Sequence, residues 1–279
     1  MTETPNWADA RTLIDHPAFA SVRHVWSALP DPAWPSLDAL NGFIGGEANI
    51  RNAPLRFIAA EEQLDTSAAA YELGIALRGE IPTRANWHDL FNALAWISWT
   101  KTKCAISEMH ARIIEAQSEA ERRQRSPARD VLTLFDESGA IILSESPAML
   151  EAIRGFRWKE VFVERRAEWG VTTTVLLFGH ALMEKMLDPH VGVTAKCVLI
   201  DRPINGLSVT ELRSLADSVL SAHFMDPANI RTSRQLQPLP VLGIPGWDAR
   251  NESPDFYANT DYFRPGRMRD LKGAATSDA

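Results

Sequence analysis

Three of the seven histidines, His88, His110 and His180, stand near carboxylates, the first in an apolar segment rich in tryptophan and the last in an apolar run. Asp89 follows His88 directly. Glu184 lies four residues after His180, a spacing that puts both on one helix face. Asp136 closes the apolar run 131–135 and supplies a further oxygen. Imidazole and carboxylate together suit Zn, Fe, Mn or Ni, and such an ion with an open position turns water into a nucleophile. His88, His110, His180 and Glu184 are therefore the expected ligands of a divalent metal. His88, Asp89, Asp136 and His180 are the expected acid–base residues of a hydrolase, with or without that metal. Arg84 and Lys103 are expected to hold an anionic ligand near His88, with Asn92 beside them, and Trp247 to line a pocket from a loop rich in Gly and Pro. Each residue also has a plainer use: a histidine beside Trp87 and Trp96 serves equally as a hydrogen-bonded structural group. Asn86 and Asp89 suit the first turn of a helix.

Whether these side chains meet depends on the elements that carry them. Trp87, Leu90, Phe91, Leu94 and Ile97 fall on helical spacing, and the polar run Thr100–Lys103 interrupts them. A second helix follows, with Ile106, Met109 and Ile113 on its apolar face, so a helical hairpin turning near residue 100 is expected. His88 and His110 then lie about 12 and about 10 residues from the turn, and at ~1.5 Å per residue their heights differ by only ~3 Å. One unbroken helix would instead hold them ~33 Å apart. His180 follows Gly179 at the exit of the β-branched run 171–177, with helix expected from about Leu176 onward.

Elsewhere, Ser36 caps a short helix over 36–44 and residues 54–60 have strand composition. Residues 131–144 read as a β-hairpin, two apolar runs around Asp136-Glu137-Ser138-Gly139. Helices are expected over 147–156 and 158–169, and a strand over 193–201. Ser208 and Glu211 form a capping-box pattern that opens a helix over 208–224. Residues 236–248 read as an ordered loop or edge strand, since Pro cannot donate to a ladder. Arg122, Arg123, Arg125 and Arg129 read as a cluster near a helix end, where cations complement the dipole. The whole is an α+β arrangement: a helical hairpin and further helices on a small mixed β-sheet containing a β-hairpin. Residues 1–265 form one globular domain and 266–279 a disordered tail.

The composition bounds the partners. The chain has 279 residues, 45% of them hydrophobic, and a formal net charge of −7. That charge disfavours a dedicated nucleic-acid binder, which needs a basic face. The N-terminal segment has neither the basic start nor the apolar run of a signal peptide, and no apolar stretch reaches spanning length. A cytoplasmic protein without membrane contact is expected. Cys104 and Cys197, far apart in sequence, read as buried thiols. No H-E-x-x-H, G-x-S-x-G, dinucleotide or P-loop pattern occurs. An aspartyl nucleophile at Asp136 would call for a second aspartate at position 138, where Ser138 stands. The alternative to a hydrolase is a non-catalytic module that binds a small anion or, through exposed tryptophans of the N-terminal arm, a protein partner. Oligomeric state, substrate and metal identity are open at this level.

Several segments taken together resemble a bacterial family known as domain of unknown function 3025. They are Pro82-Thr83-Arg84 with Asn86-Trp87-His88-Asp89 and Asn92-Ala93-Leu94, then Leu132-Thr133-Leu134-Phe135-Asp136-Glu137, then Phe178-Gly179-His180-Ala181-Leu182 with Glu184-Lys185. Leu239-Pro240-Val241-Leu242-Gly243-Ile244-Pro245-Gly246-Trp247 and Phe263-Arg264-Pro265 complete the set, which spans most of residues 30–265. The resemblance implies no particular activity, so the chemistry rests on the residues themselves.

Overall fold

Among the described residues, helix caps and β-branched runs set out ten α-helices and six strands. They are seen in a computed structural model that describes residues 6–266 apart from 31, 32, 64, 66, 119, 120 and 122–125. The helices are α1 (Trp7–Ala10), α2 (Arg23–Trp26), α3 (Leu37–Ile44), α4 (Ala68–Arg78), α5 (Trp87–Ser98) and α6 (Thr100–Ala116). Then come α7 (Pro127–Ser138), α8 (Pro147–Arg154), α9 (His180–Lys185) and α10 (Val209–Met225). Strands β1 (Arg56–Ala59) and β2 (Glu80–Thr83) pair in parallel across α4. The larger sheet has the order β4-β3-β5-β6, built from β3 (Gly139–Ser144), β4 (Thr173–Leu177), β5 (Thr194–Asp201) and β6 (Gln237–Pro240). It is mixed: β3 runs parallel to β5 and antiparallel to β4, and β5 is antiparallel to β6. Every residue of β3 is buried, as expected of a strand covered on both faces. The fold is α+β.

Local signals hold where the chemistry is local. Ser36 accepts from the Ala39 amide and opens α3. The Ser208–Glu211 capping box opens α10. Asn86 accepts from the Asp89 amide at 2.8 Å and starts α5. The chain bends at Trp99 between α5 and α6, near the expected residue. Both cysteines are buried and free.

Four expectations are corrected. Residues 131–144 do not form a β-hairpin: they are the end of α7 running straight into β3. Ser126 caps that helix and Pro127 sits in its first turn, while Val131, Leu132 and Phe135 lie on its buried face. Gly139 has φ −69°, so the Asp-Glu-Ser-Gly turn signal is not used. The antiparallel partner of β3 is instead β4, with Ala140 opposite Leu177. The run from residue 171 stays extended through Leu177, and its helix starts at His180 rather than Leu176. Residues 158–169 form no regular α-helix but a π turn at Glu160–Glu164 and a 3-10 turn at Arg166–Glu168. Arg129 sits in the first turn of α7 and is buried, so it does not complement a helix C-terminus. Arg122, Arg123 and Arg125 lie outside the described residues, as does the tail beyond Gly266.

The buried hydrophobic side chains form one cluster. Trp7 and Trp26 of the N-terminal arm are inside it, not on the surface. Trp7, Trp26 and Trp34 pack on Trp87 with ring centroids 5.1–6.1 Å from it. That aromatic packing fixes the start of α5 and so the height of His88. Beyond the bend, α6 packs on α10 and α4, while α5 packs on α9. Among the described residues, no helix is long and apolar enough to cross a membrane.

Candidate metal site

The antiparallel pair β3–β4 brings the site together. α7 ends where β3 begins, and β4 ends where α9 begins, so the C-terminal turn of α7 and the first residue of α9 emerge at the same end of the sheet. The Phe178 and Gly179 amides both donate to the Gly139 carbonyl, at 3.0 and 2.8 Å. A side chain at 179 would meet the Glu137 carbonyl and the Ser138 amide, each at 2.6 Å from its Cβ. Only glycine permits this approach, which sets Asp136 and Glu137 beside His180. α5 packs on α9 and adds His88 from its first turn.

The two imidazoles face one another with Nε2 atoms 3.1 Å apart and ring centroids 4.5 Å apart. Glu137 Oε2 lies 3.6 Å from His180 Nε2. One donor atom from each of His88, Glu137 and His180 falls within 4.8 Å of the others. Two nitrogens bound to one ion at ~2.0–2.1 Å, at angles between octahedral and tetrahedral, stand about 2.8–3.4 Å apart. The observed 3.1 Å fits that range.

Carboxylates back both rings. Glu184 Oε2 is 3.1 Å from His88 Nδ1. An ionised carboxylate only accepts, so Nδ1 is the donor in this contact, and in a neutral ring that leaves the lone pair on Nε2. His180 is buried, and its Nδ1 has no hydrogen-bond partner within 3.5 Å. Asp136 Oδ2 stands 3.7 Å from that nitrogen. Burial pushes the His180 imidazole down to about 3, against the pull of Asp136 and with the help of Lys103 and His88, so the ring is neutral at physiological pH. A neutral imidazole is the form that binds metal. Burial pushes the Asp136 carboxyl up, but Lys103, His180 and His110 outweigh it and hold it below the usual carboxylate value. Glu137 is raised, by burial first and by the nearby Asp136 charge second.

Behind Asp136 runs a buried polar chain. Lys103, 3% exposed, donates to Asp136 Oδ1 at 2.6 Å and to Asn92 Oδ1 at 2.8 Å. Asn92 in turn donates to the Tyr71 hydroxyl at 3.1 Å. The Lys103 ammonium also lies 5.2 Å from the centroid of the Trp96 ring.

Of the residues singled out in the sequence, the structure brings His88, Asp136, His180, Glu184, Asn92 and Lys103 together. Asp89 binds the Arg84 amide at 2.8 Å and pairs with its guanidinium at 3.7 Å, so both are engaged in starting α5. The Lys103 charge is matched by Asp136 rather than left open for an anion. His110 is buried with Nε2 3.7 Å from Glu72, outside the three-residue donor group although it acts on Asp136 electrostatically. Trp247 packs edge-on to His16. Glu184 contacts His88 rather than sharing the donor group with His180. Sequence reasoning missed Glu137, because the turn-like Asp-Glu-Ser-Gly run hid a helix end. The Ser126-Pro127 cap was the signal that would have placed it on a helix.

Fold and site together define an α+β protein with a two-histidine, one-carboxylate donor group at the end of a mixed sheet. The family model described as Protein of unknown function (DUF3025) matches residues 55–267, and the chain belongs to that family. Three of the segments that carry the resemblance, around residues 88, 136 and 180, meet in this donor group. No curated protein and no solved structure matches the chain.

Proposed function

We propose that the protein is a hydrolase dependent on a divalent metal held by His88, His180 and Glu137. The observation that carries this reading is the pair of Nε2 atoms 3.1 Å apart with the Glu137 carboxylate beside them. A set of two histidines and one carboxylate holds an ion and leaves positions open for water and substrate. The His88 and Glu137 side chains are 43% and 40% exposed, so a ligand reaches that open side directly. A divalent ion supplies Lewis acidity toward a substrate oxygen and makes water nucleophilic near neutral pH. Glu184 keeps the His88 ring in the orientation and tautomer that present Nε2.

A second reading needs no ion. The Glu184–His88 contact at 3.1 Å is also the orienting pair of a general base, with His88 Nε2 as the proton acceptor. A non-catalytic module remains the contrasting class, although the burial of Trp7 and Trp26 takes away the exposed aromatic surface that would favour a protein partner.

The test is elemental analysis of protein purified without chelators, followed by turnover of phosphate-ester and carboxylic-ester panels before and after EDTA. The metal reading expects close to one equivalent of metal and activity lost on chelation, restored by the ion, and absent in His88→Ala and His180→Ala. Activity that survives chelation selects the acid–base reading. Stoichiometric metal with no turnover of any ester selects a binding role.

A further inference from the structure

His180 can bind metal through Nε2 only when the hydrogen of its neutral ring sits on Nδ1. His88 Nδ1 serves Glu184, so His88 Nε2 offers only a lone pair. Between two neutral rings, with His88 Nδ1 donating to Glu184, the contact at 3.1 Å between the two Nε2 atoms is a hydrogen bond with His180 Nε2 as the donor. A neutral imidazole carries one hydrogen, so His180 Nδ1 then has a lone pair. The carboxylate beside that nitrogen is Asp136, whose Oδ2 stands off at 3.7 Å, an acceptor near an acceptor, and the Asp136 main chain also acts on the ring. To ligate an ion through Nε2, His180 must give up that hydrogen and carry one on Nδ1 instead. The exchange moves one proton from one ring nitrogen to the other through solvent and leaves the ring neutral.

We propose that Asp136, anchored by Lys103, is the positioning carboxylate that receives the Nδ1 hydrogen of His180 when metal binds, and so fixes the tautomer that presents Nε2. This rests on the metal reading of the same site. Three observations support it. Asp136 Oδ2 faces Nδ1, and a small closure converts the 3.7 Å stand-off into a hydrogen bond once Nδ1 is a donor. Its other oxygen, Oδ1, is pinned by Lys103 at 2.6 Å, so the carboxylate cannot rotate away. Lys103 is itself buried and tied to Asn92, which leaves the ammonium no other anionic partner within bonding distance among the described residues. Lys103 thus acts through Asp136, and Asp136 through His180. Neither touches the ion or the substrate.

The geometry makes Asp136→Asn informative. Lys103 needs an oxygen, so the carboxamide turns its oxygen to Lys103 and its NH2 to His180. An NH2 donor facing Nδ1 favours the lone pair there and keeps the hydrogen on Nε2, the tautomer that cannot bind metal through Nε2. The experiment is calorimetric titration of metal-free protein with Zn2+, with histidine tautomers read by long-range 1H–15N NMR. In wild type, His180 is expected to carry its hydrogen on Nε2 without zinc and on Nδ1 with it, while His88 stays on Nδ1 throughout. Asp136→Asn is expected to bind zinc about 10–100-fold more weakly, with the His88 tautomer unchanged. A purely structural role for Asp136 would not move one ring and spare the other. Zinc binding at wild-type affinity with His180 on Nδ1 in Asp136→Asn overturns the positioning role and leaves the metal site standing. If wild type itself binds no zinc, the metal reading fails first. Should Asp136→Asn not fold, the wild-type spectra decide: a zinc-bound His180 with its hydrogen on Nε2 refutes the proposal.

Discussion

Gly179→Ala tests whether the close approach of the β4–α9 junction to the end of α7 builds the site. A Cβ at 179 would lie 2.6 Å from the Glu137 carbonyl and the Ser138 amide, roughly 0.8 Å inside ordinary van der Waals contact. These two and the still closer Gly139 amide are all backbone, so no side chain can swing aside. The φ of Gly179 is −65°, so the substitution strains no dihedral, and the whole effect is steric. Relief requires the two segments to part, which lengthens the Phe178 and Gly179 hydrogen bonds to Gly139. Overpacking of this kind costs about 1–3 kcal/mol. For a chain of this size that corresponds to a melting temperature lower by about 2–12 °C. His180 rides on one segment and Glu137 on the other, so zinc affinity falls with stability, by about tenfold or more for a displacement near 1 Å. Scanning calorimetry and zinc titration on the same preparation measure both. A variant that melts with wild type and binds zinc equally well would refute the argument that this contact sets the donor spacing.

Three further outcomes are expected. Metal-free protein should lose stability as pH falls from about 6.5 toward 3, because the unfolded chain protonates His180 near its ordinary value while the folded chain resists until about 3. Urea denaturation at pH 4.5 against pH 7.5 should show a deficit to which His180 contributes about 2–3 kcal/mol, and His180→Gln should remove that part while the lowered His24 and His223 keep theirs. Glu137→Gln should weaken zinc binding at least about tenfold yet leave the metal-free melting temperature nearly unchanged, since the side chain is 40% exposed. A large drop in metal-free stability would show that Glu137 is structural. Asp217→Ala should cost about 1–3 kcal/mol, because Asp217 accepts from the Lys101 and Thr102 amides and from the Thr102 hydroxyl at the start of α6. Its zinc affinity should match wild type, which separates helix capping from the site.

What the sequence determined by itself was local. Caps at Ser36, Asn86 and Ser208 and the bend near residue 100 were legible. Each depends on interactions within about four residues, which sequence order specifies directly. His88, in an apolar, tryptophan-rich segment, and His180, in an apolar one, stood out because polar groups there need partners. Which partner each would find was a tertiary matter. His88 meets His180 across 92 residues of chain, while His110, on the helix after the bend, turns to Glu72. Glu184 was read as sharing a metal with His180, but packing of α5 on α9 sends it to the outer nitrogen of His88. Glu137 was hidden because a turn signature and a capped helix end compete for the same four residues. The outcome depended on where β3 found its antiparallel partner, in a strand that begins 29 residues beyond the end of β3. Register between distant strands is set by burial of whole faces rather than by neighbouring residues, so only the folded chain places a carboxylate from α7 beside two imidazoles.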